Sequence, residues 1–141
     1  MRNEDGTATI EFTFLSILLL VPLVYVVLSA SEVQRTAYAA SEAARDAGRA
    51  YVRSATVEDG ERAALASAQL AFRDQGLDLP AGGLTIACSA DPCLTPGARV
   101  TVSIRAQAPL PGVPALWKSA ASIRVSARHV EVVDAFRQVQ Q

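Results

Sequence analysis

The sequence predicts an α+β chain: a long amino-terminal helix, transmembrane in character and then amphipathic, a second helix, and a small antiparallel sheet of three to four strands. Three observations carry this. No charged residue occurs between Phe12 and Ser31, and the stretch is dominated by Leu, Val and Ile. Apolar or small residues then recur at alternating steps of four and three from Val33 to Tyr51. Three later runs, around Leu84, Val100 and Ile123, alternate apolar with polar side chains, the period of a strand with one wet face.

The first helix is apolar for about 30 Å at about 1.5 Å per residue, which matches the hydrocarbon thickness of a bilayer. Pro22 removes one backbone hydrogen bond inside it and is expected to kink the helix, which membrane helices tolerate better when neighbours or Ser and Thr side chains satisfy the freed carbonyl. Beyond Ser31 the positions Val33, Ala37, Ala40, Ala44, Ala47 and Tyr51 share one helical face, with Glu32, Arg35, Glu42, Arg45, Asp46, Arg49 and Arg53 opposite. The helix is therefore expected to continue outward to about Tyr51. Its alanine-rich seam suits close packing, against either the chain's own module or a helix of a neighbouring subunit. Glu42 with Arg45 and Asp46 with Arg49 are spaced for intrahelical ion pairs.

Thr56-Val-Glu-Asp59 reads as a capping box opening a second helix to about Arg73, with Leu65, Ala68 and Phe72 on one face and Gly76 as the stop. Gly60 is an unfavourable residue there and weakens the first turn. Leu84, Ile86 and Cys88 define the first strand, Val100, Val102 and Ile104 the second, and Ile123, Val125 and Ala127 the third. The Pro-rich stretch from Ala108 to Trp117 is expected to be a surface loop, with Leu116 and Trp117 as an anchor for packing or for a partner. From Val130 to Val139 the pattern fits either a last strand segment or a short helix.

Cys88 and Cys93 enclose Ser-Ala-Asp-Pro, and no further Cys or companion His completes a metal set. A local disulfide with Asp91-Pro92 at its bend is the expectation, free thiols the alternative; oxidised cysteines favour a compartment outside the cytoplasm. Thirteen basic and fourteen acidic side chains leave a net charge of -1, no footprint for nucleic acid. His129 stands alone without a motif, and there is no phosphate loop or nucleophile elbow. The chain reads as a non-enzyme without metal, cofactor or a small-molecule site.

The segment Gly6-Thr-Ala-Thr-Ile-Glu11-Phe12, set directly before the apolar run, resembles the processing site of type IV pilin precursors. With Pro22 in the helix and Ala43-Ala-Arg-Asp-Ala-Gly-Arg49 after it, the first third of the chain is most similar to the TadE-like minor pilins or pseudopilins of tight-adherence (Flp-type) pilus systems. That resemblance implies cleavage by a prepilin peptidase between Gly6 and Thr7. It also implies an assembly role for Glu11, with Phe12 beside it, the carboxylate meeting the new amino terminus of a neighbouring subunit. A Glu that snorkels to the membrane edge is the plainer reading of the same residue. The implied organisation is a leader at 1–6, a transmembrane helix at 7–31 and an exported module at 32–141. The implied partners are the peptidase, membrane lipid before assembly, and other pilus subunits through helix packing. The implied location is the inner (cytoplasmic) membrane, crossed once, with the carboxy-terminal module outside the cytoplasm and incorporation into an extracellular pilus.

Flanking charges do not help with orientation. Arg35, Arg45, Arg49 and Arg53 lie on the side to be exported, opposite to the positive-inside rule. Two rival readings follow from the same segment. Ser29-Ala-Ser31 offers small residues for a signal peptidase, giving a secreted protein, although the apolar core is longer than a usual signal. Without any cut, the chain is a permanently tethered binding or scaffold protein.

Overall fold

In the computed structural model, which describes residues 5–113 and 121–136 with side chains from Thr9 onward, the element order is α1 (Asp5–Arg53), α2 (Val57–Asp74), β1 (Leu84–Cys88), β2 (Arg99–Pro109) and β3 (Ser122–Val132). The arrangement is α+β, as the periodicities predict. Helix α1 has 49 residues and runs without a break through Pro22, which makes it about 73 Å long. Its two halves differ in kind. From Ile10 to Leu28 every large apolar side chain is exposed, whereas Thr36, Ala39, Ala40, Ala43, Ala44, Ala47 and Tyr51 are buried.

The alanine-rich face of the outer half of α1 is buried because the helix packs against α2 on one side and against β2 and β3 on the other. Alanine at so many contact positions lets both neighbours approach the helix backbone closely. The larger core residues sit around it: Phe72 from α2, Val100, Val102 and Ile104 from β2, and Val133 after β3. Full burial of each such side chain stabilises the fold by about 1.5–3 kcal/mol relative to exposure.

Helix α2 begins where the capping signal predicts. Thr56 is extended, and its Oγ1 accepts a hydrogen bond from the Asp59 amide at 3.1 Å. The helix ends in a Schellman motif: the Leu77 amide donates to Phe72 O at 2.9 Å and the Gly76 amide to Arg73 O at 2.8 Å. Gly76 has φ +66°, a conformation that costs glycine nothing. The buried face of α2 includes Ala68 and Phe72, as expected, but not Leu65. Gly60, Ala64, Ala68, Ala71 and Phe72 point inward, while Leu65 is 44% exposed. Small residues line the contact with α1, so the stripe is rotated toward the alanines and away from Leu65.

The sheet has the order β1-β2-β3 and is antiparallel throughout, with Leu84 opposite Ile104 and Val102 opposite His129. Among the described residues it has three strands, the lower of the two counts expected. Two boundaries also move. β2 continues through Ala108 to Pro109, into the stretch expected to be loop, because Pro109 closes the strand opposite Ser122 and its missing amide falls at the end of the ladder. β3 continues to Val132, so the segment after His129 starts as strand and not as helix. Leu116 and Trp117 lie outside the described residues.

Candidate membrane and assembly helix

The chemistry suggested by the sequence is concentrated on α1. The peptide between Gly6 and Thr7 lies in its first turn, where backbone amides have no intrahelical acceptor and Gly is a weak helix former. Glu11 is exposed one turn farther on, and Phe12 beside it is exposed as well. The segment that follows is long and apolar enough to cross a membrane. Within it Thr13 Oγ1 donates to Thr9 O and Ser29 Oγ to Tyr25 O, both at 2.8 Å, so these hydroxyls are satisfied on the helix itself.

The alanine seam is used inside the chain. Ala40, Ala44, Ala47 and Tyr51 are at most 1% exposed, covered by α2 and the sheet, while Val33 and Ala37 are half-buried. The outer seam is thus unavailable to a neighbouring subunit in this fold. The exposed apolar side chains lie upstream, between Ile10 and Leu28.

The helix also meets the polar end of β3. Glu131 Oε1 lies 3.0 Å from His129 Nε2 and 3.7 Å from Arg49 Nε. Arg49 therefore turns to Glu131 across the helix–sheet contact and not to Asp46, and no ion pair joins Glu42 to Arg45. His129 and Glu131 form a partly buried polar pair on the face of the sheet that carries Val125 and Ala127, and the exposed Arg49 reaches it from α1.

Burial pushes the Tyr51 phenol above its ordinary range, with Glu61 and then Glu58 adding to the effect. Cys88 and Cys93 form a disulfide at the start of the β1–β2 connection. Ser89 closes the same corner, its amide donating to Arg99 O at 3.0 Å and its Oγ accepting from the Arg99 amide at 2.9 Å.

One feature was invisible in the net charge. The open face of the sheet carries Arg99 and Arg105 from β2 and Arg124 and Arg128 from β3, and no acidic residue from any of the three strands. The register makes Arg105 a diagonal neighbour of both Arg124 and Arg128. The acidic side chains lie mainly on the helices, so opposite charges cancel in the sum but not in space. Strand alternation could have exposed this pattern, since all four arginines fall at polar positions of the two runs.

An open cleft of about 740 Å³ lies where β2 extends past the end of β1, lined in part by Thr36, Phe72, Asp78, Gly83, Arg105 and Arg124. Among the described residues no group of three or more His, Cys, Asp or Glu side chains could hold a metal ion. No protein-family model, curated protein or solved structure matches the chain.

Proposed function

We propose that this chain is a minor pilin or pseudopilin of the TadE-like kind, processed by a prepilin peptidase between Gly6 and Thr7 and joined to a Flp-type pilus through its first helix. The observation that supports this reading best is the division of a single helix. Its apolar half, preceded by Gly6 and Glu11, exposes its side chains, and its other half is the central element of the folded module. A protein built this way can be held in a bilayer by the first half and transferred into a filament without rearranging the second. Lateral contact between subunits then falls on residues from Ile10 to Leu28, with Glu11 neutralised by the amino terminus of a neighbour. An unpartnered carboxylate in that apolar setting costs a few kcal/mol, which favours the paired arrangement.

The same helix weighs against the secreted reading. Ser29-Ala-Ser31 sits inside an unbroken helix, and Thr36 of the module core follows within two turns. A signal peptidase would have to cut a segment continuous with that core.

Amino-terminal sequencing of the mature protein tests the proposal. Thr7 is the expected first residue, while Glu32 would replace it in a secreted protein and Met1 in a permanent tether. Gly6→Trp should leave an uncut precursor that is absent from the pilus fraction. Normal shortening of that variant refutes the processing site.

A further inference from the structure

We infer that the paired strand ends at Leu110 and Ile123, beside the apolar helix, are a second membrane contact, seated in the interface of the bilayer that α1 spans before assembly. The inference rests on the membrane-anchor part of the proposal above and adds to it where the module stands relative to the lipid. Leu110 and Ile123 face α1 across an apolar groove whose other walls are Tyr25, Val26, Ser29, Ala30, Val33 and Gln34. Tyr25 and Val26 belong to the last two turns of the uncharged stretch that ends at Ser31. The strand ends therefore reach back beside residues that the helix itself places in hydrocarbon.

The helix cannot relieve this by sliding. If the bilayer ended below Tyr25, its other edge would move past Glu11 toward Asp5 and draw carboxylates into the apolar layer. Nor are Leu110 and Ile123 free to swing away, because one backbone bond follows the last strand pair, the Leu110 amide donating to Ala121 O at 3.2 Å. The side chains suit the depth. Ile123 is 44% exposed although it lies on the helix-facing side of the sheet, where water would otherwise meet it. Arg124, the next residue, points to the opposite face and lines the cleft that includes Thr36, beyond the apolar stretch of the helix. An aliphatic side chain at the acyl boundary followed by an arginine long enough to reach the headgroups suits such a depth. Two contacts, one a spanning helix and one the strand ends, fix the rotation of the module about the helix axis.

The full chain in vesicles of phosphatidylcholine and phosphatidylglycerol provides the test. A single environment-sensitive NBD probe is attached through I17C, I123C, L110C or V130C, with the native disulfide left oxidised. Quenching is read with nitroxides at shallow and deep acyl positions. A probe at 17 reports the span, and one at 130 stands about 24 Å from residue 123 along the strand. Expected are strong deep quenching at 17, and shallow quenching at 123 and 110 at least threefold greater than at 130. Quenching at 17 with 123 and 110 no different from 130 overturns the strand-end contact and leaves the anchor intact. Loss of quenching at 17 itself overturns the anchor and the strand-end contact together.

Discussion

Tyr51 and Gly60 interlock the two helices: a Cβ placed on Gly60 would lie 3.0 Å from Tyr51 Cδ2 and 3.3 Å from Tyr51 O. Tyr51 is 1% exposed, so a ring displaced by that methyl must press on other packed atoms. In an exposed helix, replacing Gly by Ala stabilises by about 1 kcal/mol. Here Gly60→Ala should destabilise by about 1–3 kcal/mol, the scale of overpacking in a closed core. Urea unfolding of the full chain in detergent micelles measures the change. Any gain in stability would show that the contact between α1 and α2 is looser than the ring position implies.

The same tyrosine makes stability sensitive to alkali. Its pKa is raised in the folded protein by burial and by Glu61 and Glu58, so the unfolded chain loses the phenolic proton first. Below the unfolded value of about 10 the contribution is complete, and it is lost as pH rises from about 10 toward the folded value. Unfolding midpoints measured from pH 8 upward should fall above about pH 10, and Tyr51→Phe should flatten that fall. An identical slope in the variant would assign the alkaline loss to other groups.

Reducing the Cys88–Cys93 bond should cost about 2 kcal/mol, because a sequence separation of 5 closes only a short loop and removes little entropy from the unfolded chain. The loss is read as a shift in the urea midpoint with and without reductant. The effect should be local: β1 amides exchange faster with solvent, while β2 and β3, which pair along 11 residues each, keep their protection.

At the start of α2, Thr56→Ala removes the acceptor for the Asp59 amide and should cost about 1 kcal/mol. Thr56→Ser retains the hydroxyl and should recover most of that loss. Circular dichroism during thermal unfolding distinguishes the two variants, and equal stability of both would mean that water replaces the cap.

Much of this molecule was legible in one dimension. An uncharged run of bilayer length, a four-and-three spacing, a Thr-x-x-Asp start, a Gly stop and three alternating runs each follow from local geometry, and each predicted element exists. Misjudged residues were those whose role depends on what lies opposite. Leu65 looked like core by spacing, but α2 turns its small residues toward α1. Ala108 and Pro109 looked like loop by composition, yet β3 supplies the pairing that extends β2 to them. Asp46 and Arg49 had the right separation for a pair, and Glu131, distant in sequence, took the arginine.

The long apolar segment, with Gly6 and Glu11 before it, and the order of elements were determined by the sequence itself, because hydrophobic length and backbone periodicity are properties of neighbours along the chain. Only the tertiary structure decided that the alanine seam is covered within the chain itself, that four arginines gather on one open sheet face, and that Leu110 and Ile123 stand beside the last turns of the apolar helix. Those relationships join residues far apart in the chain, and no local pattern encodes which surfaces the packing of α1 covers and which it leaves free.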